Sequence, residues 1–370
     1  MAFNEKSLRS DERAVFELRS LYAMHGYERF KMSRFEEYEL YVRNKDFLVS
    51  DRMITFTDNH GRMLALKPDV TISIIKSYAE QPLGVKKLYY NENVYRAQKG
   101  DSSFREIMQT GLECIGELDD YNICEVITLA VKSLELISSE YVLDISHMGF
   151  VSGLMDVAGI SRSHRAEIVK LIGEKNSFAL SAICHELGVE ECYAKAFLQL
   201  VTNYGDMGTM IESLSAICFN STMEEALNQL KTISMCLKSC NLESRVNVDF
   251  SVVNDMAYYN GIVFQGFVKG IPTGVLSGGQ YDTLVQKVGK SKGAIGFAVY
   301  LDELEALDCE SRQYDADVLV VYDDTVACDE ILATVQKYNA EGLTVLPVRE
   351  DDGTKKYRKK VVCGKTEAQQ

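Results

Sequence analysis

The chain has 370 residues, too many for one ordinary domain, and 46% hydrophobic with 25% charged residues fits a soluble protein with two or three domains. Its formal net charge of −14 argues against a large nucleic-acid footprint, because phosphate binding needs clustered Lys and Arg. The ten cysteines contain no C-x-x-C pair and the five histidines (His25, His60, His147, His164, His185) no H-x-x-x-H, so no metal site is expected and the thiols suit a reducing cytoplasm.

The elements follow in order. Residues 8–25 predict a helix, with Leu8, Val15, Leu18, Leu21 and Tyr22 near one face and Gly26 as its stop. The first residues, MAFNEKSLRSDER, are charged and carry no apolar signal core, and no run reaches the length of a membrane span. Tyr27 to Ser33 reads as a strand. Ile54–Thr57 and Met63–Leu66 flank the turn DNHGR and predict a hairpin, after which Pro68 opens a helix to about Tyr78. Lys86–Arg96 and Ile107–Gly116 are two strands joined by the polar loop QKGDSSFRE, which is either solvated or phosphate-facing. A helix over Asp120–Ser138 and a strand over Tyr141–Ser146 follow. From Gly149 to about Asn241 the pattern is nearly continuous helix, whose apolar stripes are packing faces.

Val246 to Leu304 organises the rest. VNVDFSVV alternates apolar and polar residues for eight positions, and AYYNGIVFQGFV is rich in aromatic and β-branched residues with a bend at Asn260-Gly261. Gly274–Ser277 is a third strand leading into the pair Gly278-Gly279, where backbone or ligand can approach closely. AIGFAVYLDELEAL begins as a strand and ends as a helix. After Asp308, ADVLVVY, DEILATVQKYNAEG and LTVLPV form a strand–helix–strand unit with parallel strands. The tail TKKYRKKVVCGKTEAQQ is basic and then polar, a solvated end.

Five of these stretches, in this order, resemble the catalytic core of the histidyl-tRNA synthetase family over about residues 8–305. LALKPDVT (64–71) resembles L-R-P-E-x-T, and RAQKGDSSFREIMQTGLECIG (96–116) resembles the motif 2 loop and return strand. AYYNGIVFQGF (257–267) resembles the D-Y-Y-x-x-x-V-F-E signature. SGGQYDTLV (277–285) resembles A-G-G-R-Y-D-G-L, and GFAVYLDEL (296–304) resembles the motif 3 helix G-F-A-x-G-L-E-R-L. The resemblance implies an α+β fold: a class II aminoacyl-tRNA synthetase-like antiparallel sheet flanked by helices, usually dimeric. It assigns residues 1–308 to the core, with a helical insertion at about 149–241, and 309–370 to a small, truncated α/β unit.

The departures from the family are specific. Its motif 2 R-x-E falls on Asn93-Val94-Tyr95, and the arginine before the Y-Y signature falls on Asn254. The G-G-R-Y-D arginine falls on Gln280 and the motif 3 arginine on Glu303. Adenylate formation needs cations where charge develops, so the resemblance with four arginines lost implies a dead ATP site, no catalytic residue and no cofactor. The amino-acid side is kept: Asp69, Thr71, Gln109, Glu113, Tyr258, Tyr259 and Tyr281 match the histidine-binding positions. Carboxylates suit an ammonium and an imidazole N–H, and tyrosines wall the ring. The other reading is that these are relics paired within the sheet.

The segments GLMDVAGI, RAEIVKLIGEKN and QLVTNYGDMGTM resemble the same region of the ATP phosphoribosyltransferase regulatory subunits, a non-aminoacylating branch. That likeness implies a cytoplasmic subunit needed for the activity and histidine feedback of a short-form catalytic partner. It also implies self-association through a dimer core within a hetero-octamer, binding of free histidine, and no nucleic acid or membrane as partner. The alternatives are an active histidyl-tRNA synthetase and a different synthetase-derived histidine sensor or adaptor.

Overall fold

Helix α1 (Ser10–Met24) buries Ala14, Leu18, Leu21 and Tyr22 along one stripe, and Gly26 follows it at φ +79°, a left-handed backbone that side chains with a Cβ avoid. The computed structural model describes residues 8–43, 53–79, 84–97, 103–252, 258–287, 293–307 and 314–363. These fall into two compact units. The larger is Asp11–Leu304, and the bulk of the smaller lies in Glu305–Gln370.

In the larger unit the strand expected over residues 27–33 shortens to Glu28–Arg29 (β1), with the Phe30 N–H donating to the Tyr89 carbonyl at 2.7 Å just beyond it. Three strands, β2 (Phe35–Glu37), β3 (Thr55–Thr57) and β4 (Met63–Leu66), make a small antiparallel sheet in the order β2-β4-β3, with helix α2 (Tyr38–Arg43) between the first two in sequence. The β3–β4 hairpin is the expected one. Its turn closes because Asp58 Oδ1 accepts the N–H groups of His60 and Arg62 at 2.8 and 2.9 Å. Helix α3 is Thr71–Ala79, so it starts after Pro68. Asp69, not the proline, marks the start: its Oδ1 accepts the Ile72 N–H at 3.1 Å as a cap.

Strands β5 (Lys86–Ala97) and β6 (Phe104–Gly116) form the longest antiparallel pair, in register from Lys86 opposite Ile115 to Ala97 opposite Phe104. Helix α4 (Asp120–Ile137) opens with a reciprocal capping box between Asp119 and Asn122 and leads to β7 (Tyr141–His147). Helices α5 (Met148–Val157), α6 (Arg162–Gly173), α7 (Ser177–Glu186) and α8 (Glu191–Thr202) follow. The stretch expected to be nearly continuous helix then contributes a strand, β8 (Tyr204–Asp206), before α9 (Met207–Ser215) and α10 (Ser221–Ser239). Among the described residues of VNVDFSVV, Val246–Asp249 (β9) is strand, and Phe250–Val252 tightens into a 3-10 turn that buries Phe250 and Val252.

Strands β10 (Ile262–Val268) and β11 (Leu276–Gln280) place Gly278-Gly279 inside β11, not after it. The pair stays extended because neighbouring strands cross it on both sides: Gly278 and Gly279 are in register with Phe264 and Val263 of β10. Helix α11 (Asp282–Lys287) and β12 (Gly293–Tyr300) complete the sheet, and Leu301–Leu304 turns as a 3-10 helix. The nine strands run in the order β1-β5-β6-β12-β11-β10-β7-β9-β8. Neighbours are antiparallel except β1 with β5 and β7 with β9.

The smaller unit holds β13 (Ala316–Val321), α12 (Cys328–Ala340) and β14 (Val345–Val348), with the expected parallel pairing of the two strands. The basic tail is not simply a solvated end. Tyr357–Val362 forms β15, parallel to β13 on its other side, and Lys359 and Lys337 lie over the Tyr338 ring at 5.2 and 5.5 Å. Tyr338 is buried on Val318, Val320 and Cys363, which explains how a charged strand is held. No described helix is long and apolar enough to cross a membrane.

Candidate functional site

Glu113 lies on β6, the third strand of the large sheet. On β6 it stands opposite Gly296 of β12, which is in register with Gly279 of β11. Residues paired across antiparallel strands project to the same face, so the two glycines leave a floor beside the carboxyl. A Cβ on Gly296 would meet Glu113 Oε2 at 1.7 Å, and one on Gly279 would meet the Tyr259 ring at 2.6 Å. Only glycine lets the carboxyl and the ring lie this close to the sheet.

Glu113 is 2% exposed. Thr71, at the start of α3, donates its hydroxyl to Oε1 at 2.7 Å, and the Tyr281 hydroxyl donates to Oε2. Burial pushes the Glu113 carboxyl up to about 8. The two hydrogen bonds work against that rise, and the Asp69 charge adds to it. Asp69 is also buried. Desolvation raises its carboxyl, and Arg96 pulls the other way with Nη2 at 3.5 Å from Oδ2. Arg96 is fixed by donating Nε–H to the Pro68 carbonyl at 2.8 Å. The site therefore holds two buried carboxyls, and the cation belongs to Asp69. Among the described residues none places a cationic nitrogen in ion-pair range of Glu113.

Tyr258 and Tyr259, just before β10, and Tyr281, just after β11, close the site. Their rings stand 4.6 Å apart for Tyr258–Tyr259 and 5.7 Å for Tyr258–Tyr281. Burial and the neighbouring carboxyls push all three hydroxyls far up, so they remain protonated and can donate. Six of the seven residues singled out from the sequence thus surround one point. Gln109 is buried on the same face of β6 as Glu113, four residues or about 13 Å of strand away. There it is paired in register with Glu92 and Tyr300, and Glu92 binds the buried Lys67 ammonium.

The positions that lost arginine are occupied by engaged side chains. Asn93 Nδ2 donates to Glu106 Oε1 at 2.5 Å, beside the Tyr95 hydroxyl at 2.9 Å. Gln280 Nε2 donates to Asp282 Oδ2 at 2.7 Å, and Glu303 Oε2 accepts the Thr273 hydroxyl at 2.6 Å. Asn254 lies outside the described residues. Tyr300, where motif 3 has its second glycine, shares a 2.7 Å hydrogen bond between its hydroxyl and that of Ser277.

Sequence reasoning missed Arg96 as the partner of Asp69, Tyr90 beside Glu113, and the spacing role of Gly296. The Arg96 contact crosses 27 positions of chain, and no local pattern announces it. Gly296 could be found, since a glycine inside an apolar strand signals a close approach. Chemically, two carboxyls ringed by protonated tyrosines can hold a small cationic or N–H-rich molecule. Among the described residues no cluster of three His, Cys, Asp or Glu side chains could hold a metal ion.

The family model described as histidyl-tRNA synthetase matches residues 3–304. The ATP phosphoribosyltransferase regulatory subunit of Clostridium kluyveri is 30% identical over 319 residues, 82% of this chain and 81% of the relative. A solved ATP phosphoribosyltransferase regulatory subunit/histidyl-tRNA synthetase from Bacillus halodurans is 24% identical, with TM-score 0.73 over 96% of this chain and 95% of that one. A chain of the ATP phosphoribosyl transferase (HisG:HisZ) complex from Thermotoga maritima is 18% identical, with TM-score 0.63 over 81% of this chain and 98% of that one. The two structures share the fold described above.

Proposed function

Because the chain belongs to the histidyl-tRNA synthetase family and, within it, to the ATP phosphoribosyltransferase regulatory subunits, we propose that it regulates the catalytic subunit of that transferase and performs no chemistry itself. The observation that carries this is a contrast within the larger unit. Around Glu113 the acids and tyrosines are assembled and buried, while Asn93, Gln280 and Glu303 stand where a nucleotide would need cations. A carboxylate near a triphosphate is repelled by on the order of 4 kcal/mol at close range and moderate dielectric. Free histidine is the ligand that fits: its ammonium group meets Asp69 and its imidazole meets Glu113 and Tyr259. Occupancy of this site then biases the partner's conformational equilibrium.

Work in the reducing cytoplasm agrees with the free thiol state of every described cysteine. The test has two arms. The purified chain should co-purify with the short catalytic subunit, and it should show no histidine-dependent pyrophosphate exchange above background. Exchange would identify a working synthetase instead. In the assembled complex Glu113→Ala should weaken histidine binding by about 1.5–3 kcal/mol, tenfold to a hundredfold, and blunt inhibition by histidine. Unchanged affinity in both Glu113→Ala and Asp69→Ala would move the sensor away from this site.

A further inference from the structure

We infer that Glu113 is a neutral carboxylic acid in the empty site and hands its own proton to the imidazole of the incoming ligand, so that the pair is held as imidazolium against carboxylate. The inference rests on histidine being the ligand, as proposed above. It starts from an imbalance of charge. Glu113 and Asp69 are both buried, and the cation in reach, Arg96, is tied to Asp69 and the Pro68 carbonyl. An ionised carboxyl buried without a cation is costly, and the group avoids the cost by staying protonated. The neighbours facing it from each packed element supply no positive charge. They are Thr71 from α3, Tyr281 after β11, Tyr90 on β5, Tyr258 and Tyr259 before β10, and Gly296 on β12. The Asp69 charge opposes ionisation, in line with the upward displacement of the Glu113 carboxyl, by burial first, to about 8.

The same surroundings are prepared for the charged product. The Thr71 and Tyr281 hydroxyls reach one carboxyl oxygen each, an arrangement that suits a carboxylate able to accept at both. When an imidazole arrives, the O–H bond of Glu113 breaks and an N–H bond forms on the ring. The carboxylate left behind keeps both hydroxyl donors and gains a cation. Among the common amino acids, histidine carries the side-chain base whose ordinary pKa, near 6.5, makes this exchange close to balanced at neutral pH. Glu113 therefore selects by proton affinity as well as by shape.

Proton counting tests it. Free histidine is titrated into the purified full chain by calorimetry at pH 7.2 and pH 5.2, each in two buffers of different ionisation enthalpy. With the acid form in the empty site, binding at pH 7.2 should exchange almost no protons with buffer, because the one proton moves internally. At pH 5.2 the ring and Glu113 both arrive protonated, so about one proton should be released. Uptake of about one proton at pH 7.2 with none exchanged at pH 5.2 would mean that Glu113 is already ionised, and would overturn the inference. Release of a proton at pH 7.2 would overturn it too, since the ring would then bind neutral. The ¹⁵N shifts of labelled histidine in the complex at pH 7.2 should report an imidazolium; neutral-ring shifts would refute the transfer. Absence of binding at either pH would count against the histidine site itself, a separate failure.

Discussion

Gly296 and His147 show how single residues set the terms for their surroundings. Gly296 is a spacer: an added methyl would fall on Glu113 Oε2 and 2.5 Å from the Leu112 carbonyl, so sheet backbone would have to move. Gly296→Ala should cost about 1–3 kcal/mol in urea unfolding and abolish histidine binding in the same preparation. A folded variant with wild-type affinity would show that the site does not need this closeness. His147 is buried at the start of α5. Its Nδ1 accepts the Gly149 N–H at 3.0 Å, which leaves Nε2 to donate to Gln229 Oε1 at 2.6 Å. Burial pulls its pKa down to about 4. A depressed histidine gives stability that is complete above its unfolded value near 6.5 and lost as pH falls toward 4, about 3 kcal/mol in all. Unfolding free energies at pH 7.5 and 4.5 should show that loss, and His147→Asn should reduce it. At this scale the sequence was informative where residue type dictates chemistry, as with the acids and tyrosines around Glu113. It was silent on Arg96, which meets Asp69 only through the fold.

Among the elements, those with strong local signals formed as their sequences indicate, and those that depend on neighbours did not. The β3–β4 hairpin carries its own turn in Asp58 and Gly61, and β5 and β6 are long enough to fix their register. Helix α4 is similar: Asp119 accepts the Asn122 N–H at 2.9 Å while the Asn122 side chain accepts the Asp119 N–H at 3.3 Å. Asp119→Ala should therefore destabilise by about 1 kcal/mol, readable as a lowered urea midpoint with an unchanged slope. No change would mean that packing alone starts the helix. In contrast, β11 runs through two glycines that look like a loop, because flanking strands supply the hydrogen bonds that glycine does not discourage. Strand β15 reads as a charged tail because what holds it, pairing with β13 and the Tyr338 ring under Lys359, lies earlier in the chain.

For the whole molecule, the proposed regulatory role acts through surfaces, so mass is the quantity to measure. Light scattering should find the chain self-associated when alone and in a larger assembly with the catalytic subunit; a monomer in both samples would contradict the proposed role. The parallel pairing of β7 with β9 bears on how the protein can be cut. The helices between them read as a detachable insertion, yet two parallel neighbours cannot be joined by a tight turn and need a crossover of a dozen or more residues. Those helices are that crossover, and β8 from their midst covers the outer side of β9. Replacing residues 149–241 by a two-residue joint should unpair β9, leave β7 as an open edge and give a protein that aggregates or is digested rapidly by protease. A version that retains α10 as the return helix should stay soluble and folded by circular dichroism. Trimming by domain boundaries drawn on sequence alone would sever a structural hinge pin, so an engineer wanting a smaller version can thin this region but cannot excise it.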